Sequence, residues 1–155
     1  MEKIKLLCSV MRFYESNFRL LHWNSVGKEF NDAHVSITTK YYEDLGDDID
    51  KVAEIGCILN VMPLNYDEVI ANIQDNSFNV LKIESSKLYT RKQIIEFTDI
   101  MLGDICKLLV DAIQDETIQL PDNTGIKSDL EAMHSKYNLE YRFINKRRMM
   151  IVNEE

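Results

Sequence analysis

Apolar residues recur at alternating three- and four-residue steps along most of the chain, which is the spacing of one face of an α-helix. Residues 2–24 carry Ile4, Leu7, Met11, Tyr14, Phe18 and Leu21 in that rhythm and predict a first helix ending near His22. Asn24 to Gly27 supply a turn. A second stripe, Val35, Thr38, Tyr42, Leu45, Ile49, Val52, Gly56 and Leu59, predicts a long helix that Asn31 or a neighbour can cap and that Asn60 and Pro63 stop.

The rhythm then breaks for about thirty residues. Asp67 to Ile73 makes a short amphipathic helix, followed by a polar loop through Asp75, Asn76, Ser77, Ser85 and Ser86. Thr90-x-x-Gln93 is a capping box and opens a third long helix with the stripe Ile94, Phe97, Met101, Ile105, Leu108 and Ala112. Pro121 and Gly125 bracket a short loop, and the last stripe is Ile126, Leu130, Met133, Tyr137, Tyr141 and Ile144. The expected fold is all-α, a ferritin-like four-helix bundle with a short helix in the long crossover between helices two and three. It forms a single domain over residues 1–155.

Two prolines and five glycines in 155 residues favour long helices over a turn-rich β fold. Eighteen basic against 26 acidic residues give a net charge of −8, which attracts cations and repels DNA phosphates and anionic membranes. DNA binding is therefore not predicted, and no Lys-rich arm precedes helix one. The run Lys146-Arg147-Arg148 reads as cations complementing the dipole of a last helical turn. Met1-Glu-Lys-Ile-Lys leads into charged amphipathic sequence rather than a signal peptide, and no apolar run approaches the roughly 20 residues of a membrane span. Cys8, Cys57 and Cys106 are odd in number, widely spaced and set in apolar patterns, so they read as buried reduced thiols of a cytoplasmic protein.

The stretch from His22 to Glu54 holds two of the three histidines and the only tryptophan. Asp47, Asp50 and Glu54 share one side of a helix, and iron, manganese and zinc all accept a mixture of carboxylate and imidazole. His34 and Asp50, sixteen residues apart, lie about 24 Å from one another along a helix, so one chain cannot close a small site with both. A second copy across a two-fold axis would bring a His end to an acidic end.

These residues carry a resemblance. His22-Trp23-Asn24, then Gly27, Phe30 and His34, then Asp50-Lys51-Val52-Ala53-Glu54, resemble the signature of the Dps-like miniferritins (DNA-binding proteins from starved cells) of the ferritin superfamily. The resemblance implies a ferroxidase site between two-fold-related subunits: His22 and His34 from one chain, Asp50 and Glu54 from the other, with Trp23 packed nearby. It also implies a homododecamer built from such dimers, iron as the metal with zinc or manganese as alternatives, and protection against oxidative damage by storing ferric mineral inside the shell. There are two departures. Thr38, followed by Thr39, stands where the family places an aspartate. The His34-to-Asp50 spacing is one residue longer than the family pattern, a rotation of about 100° unless a bulge absorbs it.

Asp115, Glu116, Asp122 and Asp129 leave two readings open, the lining of a three-fold pore or ordinary exposed acids. Glu131-x-x-His134 resembles the metal motif of single four-helix bundles, but helix two offers no second copy, and His134 is read as structural or surface. Two other functions compete with ferroxidation: a shell whose metal site has lost turnover, and a helical interaction protein without metal.

Overall fold

The computed structural model describes residues 1–154. Helix α1 spans Glu2–Trp23. Helix α2 opens as a π-helix over Asp32–Thr39 and continues as an α-helix over Lys40–Ile58. Helix α3, Tyr66–Asp75, is the short element of the crossover, and α4 covers Arg91–Ile113. Helix α5 runs as α over Thr124–Ser135, as π over Lys136–Arg142 and again as α over Phe143–Glu154. Four long helices with one long crossover are the ferritin-like arrangement.

Local chemistry accounts for most of the boundaries. Thr90 accepts from the amide of Gln93 and the Gln93 side chain returns the bond, so the expected capping box opens α4. Asn65 and Glu68 build a second one on α3. Asn31 does not cap α2, because its backbone is already helical. Asn60 ends α2 at φ 62°, the left-handed conformation that asparagine tolerates. Gly125 does not bracket a loop, since α5 begins at Thr124 after a 3₁₀ turn over Pro121–Asn123.

The crossover is strapped to α1. Ser25–Val26 and Tyr89–Thr90 form a two-residue parallel ladder, and Asn17 donates to the Leu81 carbonyl at 2.7 Å. Tyr14 gives its hydroxyl proton to Asp104 on α4 and accepts from the Leu81 amide at 3.1 Å. One buried side chain thus joins two long helices and the strap.

The expected stripes of α1 and α4 face the core, and so do most positions of the other two: Thr38, Leu45, Val52 and Gly56 of α2 and Leu130, Met133, Tyr137 and Tyr141 of α5 are buried. On α2 the buried positions also include Ala33, Ile37, Tyr41, Asp48 and Ile55, which the stripe did not name, whereas Val35, which it did, is 58% exposed. On α5 Tyr141 is followed inward by Asn145, and Ile144 faces out. The two misplaced positions, Val35 and Ile144, lie within or just after the π segments, where the wider turn shifts the local helical phase. Polar side chains hid further core positions. Asp48 is 7% exposed because Lys136 donates to it at 2.6 Å and Tyr137 at 2.7 Å. Asn145, fully buried, donates to the Ile95 carbonyl at 3.1 Å.

Two further expectations change. Cys106 is buried and Cys8 half-buried, but Cys57 is exposed; all three are free thiols. Lys146-Arg147-Arg148 lies well inside α5 rather than in its last turn. Lys146 pairs with Asp99 at 3.0 Å and Arg148 reaches the Ser36 carbonyl at 3.4 Å, so part of the run ties α5 to α4 and α2. No helix among the described residues is long and apolar enough to cross a membrane.

This packing sets two expected outcomes. Ile37→Ala is expected to cost about 2–5 kcal/mol in urea denaturation and Val35→Ala less than about 0.5, the reverse of what the sequence stripe implies. Burial first, then the carboxylates of Asp104 and Asp48, hold the Tyr14 and Tyr137 hydroxyls above the ordinary tyrosine range. The unfolded chain ionises these groups near pH 10 while the folded chain keeps them neutral. Their contribution is therefore intact below about pH 10 and is lost as the pH climbs further. Denaturation midpoints should fall across that range, with tyrosinate absorbance from these two rings appearing only on unfolding.

Candidate metal centre

His22 closes the last turn of α1 and His34 stands in the first turn of α2, with the Gly27 turn folding one back on the other at φ 108°. Their imidazoles stack with centroids 3.7 Å apart and planes 16° from parallel. Each ring meets the backbone of the other: His22 Nδ1 lies 2.9 Å from the His34 carbonyl oxygen, and His34 Nδ1 lies 3.0 Å from that of His22. A carbonyl only accepts, so both Nδ1 atoms carry the proton. Nε2 is then the nitrogen on each ring left to bind a metal, and the backbone sets the orientation of both.

The surroundings hold this pair in place. Phe30 stacks on the outer side of His34 with centroids 4.8 Å apart, and Tyr42 stands edge-on to His22 at 5.3 Å. Arg19 lies over the Tyr42 ring at 4.5 Å and is held from behind by Glu15. Asp32, at the mouth of the π segment, pairs with Arg91 of α4 at 2.5 Å. Glu15 and Arg19 were not singled out in the sequence, and Tyr42 was named only as a core-stripe residue. Only the Glu15–Arg19 spacing of four on one helix hinted at an ordered pair.

The π segment also accommodates the extra residue between His34 and Asp50, the bulge that the longer spacing requires. Thr38, fully buried, and Thr39 both turn toward the histidines. Their hydroxyl oxygens each lie 3.1 Å from His22 Nδ1.

Asp50 and Glu54 lie on the regular part of α2, exposed, and project within about 40° of one another. Neither makes a side-chain hydrogen bond or ion pair among the described residues, and the intervening Lys51 turns to Asp129 at 3.5 Å. Within one chain the imidazoles and these carboxylates do not meet. No group of three or more His, Cys, Asp or Glu among the described residues is placed to hold an ion. The pair of imidazoles is thus one half of a coordination sphere and the acidic pair another. Trp23, expected against the site, is 69% exposed in the single chain and stacks on neither histidine.

The remaining candidates separate. Asp115 accepts from the Thr117 amide at 2.9 Å and caps a turn; burial alone would raise its carboxyl, but that bond helps to hold it below the usual range. Asp129 is occupied by Lys51, and Glu116 and Asp122 are exposed. His134 is half-buried and Glu131 exposed on α5.

No family model and no curated protein matches the sequence. Among solved structures the chain is similar to CAIP of Helicobacter cinaedi, with 19% identity, a TM-score of 0.82, and 96% of this chain and 97% of that one covered. It is similar to Dps from Staphylococcus aureus at 18% identity and a TM-score of 0.78, covering 95% and 92%. The DPS protein of Vibrio cholerae O1, described as a member of a broad superfamily of ferritin-like diiron-carboxylate proteins, is 18% identical over 98% and 85% of the two chains, with a TM-score of 0.64. At these identities the likeness establishes the Dps fold.

Phe30→Ala removes the ring that backs His34. It is expected to lower stability by roughly 1 kcal/mol in denaturant titration, the scale of a partly exposed aromatic stack.

Proposed function

We propose that this chain, built on the Dps fold, is a Dps-like miniferritin: a cytoplasmic homododecamer of two-fold dimers that oxidises ferrous iron between subunits and stores the ferric product, limiting peroxide damage. One observation carries the reading. His22 and His34 are both oriented with Nε2 bare, while Asp50 and Glu54, unpaired among the described residues, stand farther along α2, the helix that His34 opens. A two-fold axis placing two such helices antiparallel would complete two identical sites, each with imidazoles from one chain and Asp50 and Glu54 of the partner subunit.

In this reading iron is the substrate. The imidazoles favour the ferrous ion, and the carboxylates favour the ferric charge that develops on oxidation. Two ferrous ions give one electron each to peroxide, which with two protons leaves as two waters; oxygen is the alternative oxidant. Zinc and manganese would compete for the same donors. The net charge of −8 per chain would draw cations toward the shell while disfavouring DNA.

A second reading, a shell of the same build without turnover, is favoured by Thr38, which leaves the half-site without the carboxylate that the family pattern would place there. Iron loading separates the two. Ferrous salt with peroxide or oxygen should yield ferric absorbance, and the His22→Ala/His34→Ala and Asp50→Asn/Glu54→Gln variants should each lose it. Co-refolding the two inactive variants tests the shared site directly. Random pairing makes about half the dimers mixed and leaves each mixed dimer one intact site of two, so roughly a quarter of the wild-type rate should return. A wild-type particle that takes up no iron would select the inactive shell, and a monomer by size measurement would remove both readings.

A further inference from the structure

We propose that Thr38 and Thr39 act together as positioning residues that fix the ring of His22 through its Nδ1 side, a role made available by the π segment and resting on the reading of His22 as a metal ligand. Three oxygens converge on His22 Nδ1: the His34 carbonyl at 2.9 Å and the two threonine hydroxyls at 3.1 Å each. The hydroxyl protons are already directed elsewhere. Thr39 donates to the His34 carbonyl at 2.7 Å, and Thr38 lies 2.9 Å from the same carbonyl and 3.0 Å from that of Ala33. With their protons so placed, both hydroxyls turn lone pairs toward the ring, and only an N–H fits among three acceptors.

Consecutive residues on an α-helix point about 100° apart, so two neighbouring hydroxyls do not ordinarily reach one carbonyl and one imidazole. In the wider π turn, residues four and five positions after His34 both do. The extra residue in α2 therefore has a use: it converts a position that holds one side chain into a cradle made by two. A carboxylate in that place would add a negative charge beside the ligand. The hydroxyl pair fixes the same ring without one.

The experiment compares the assembled wild-type protein with Thr38→Val/Thr39→Val, which is nearly isosteric, and with Thr38→Ser/Thr39→Ser, which keeps the hydroxyls. With only three histidines, ¹⁵N-histidine labelling and solid-state NMR of sedimented, metal-free protein resolves each ring, and His134→Gln assigns the third signal set. Cobalt(II) titration is the second readout. The valine pair should replace the single Nδ1–H form of His22 by a mixture of tautomers and weaken cobalt binding roughly 10- to 100-fold, and the serine pair should restore both. If the double variant fails to assemble, Thr39→Val alone, at a half-buried position, should shift the His22 spectrum in the same direction. A valine variant with the wild-type His22 spectrum and wild-type cobalt affinity overturns the positioning role and leaves the iron reading standing. A wild-type protein that binds no cobalt, but whose His22 tautomer is lost in the valine variant, overturns the iron reading and leaves the positioning role.

Discussion

Each imidazole of the His22–His34 pair gives its Nδ1 proton to the backbone carbonyl of the other, so neither ring can turn without breaking a bond that belongs to its neighbour. This exchange ties the last turn of α1 to the first turn of α2 across the Gly27 corner and sets the tautomer of both rings at once. Everything chemical that the chain offers at this end depends on it. A histidine held by a flexible contact would sample both tautomers and orientations, and a metal would have to select one of them at a cost in affinity.

The two π segments extend that constraint to the rest of the bundle. One, at the head of α2, carries His34, Thr38 and Thr39. The other, in α5, brings Lys136, Tyr137 and Tyr141 down on Asp48 and Asp44 of α2. Rings also meet there, Tyr41 with Tyr141 at 5.2 Å and Tyr141 with Tyr137 at 5.1 Å. Both irregular stretches therefore serve α2. A bulge disrupts the regular helical ladder locally, and it persists here where side chains on neighbouring elements bond to the displaced turns.

Charge is distributed to the same effect. Asp48, Asp44 and Asp32 are matched by Lys136, Lys40 or Arg91 inside the chain, whereas Asp50 and Glu54 have no such match among the described residues. A chain with a surplus of acid can leave many carboxylates free, so freedom alone marks nothing. Their place on α2, whose other end holds His34 stacked on His22 of α1, is what gives them meaning. In a ferritin-like bundle the outer faces of α1 and α2 remain available to a second copy.

The helices and their order were legible in the sequence because apolar spacing and capping residues are local signals. The stripes of α1 and α4, the Thr90–Gln93 box and the short crossover helix needed nothing else. His22, His34, Asp50 and Glu54 could be named as candidates from their resemblance to a Dps-like pattern. Val35 and Ile144 were misread, because they lie within or just after a π segment, and a π turn leaves no mark in composition. Asp48 and Asn145 were missed as core residues since burial of a polar side chain depends on a partner 88 or 50 positions away. The threonine cradle had the same origin: sequence placed Thr38 and Thr39 side by side, and only the three-dimensional path of the π turn aimed both hydroxyls at one imidazole.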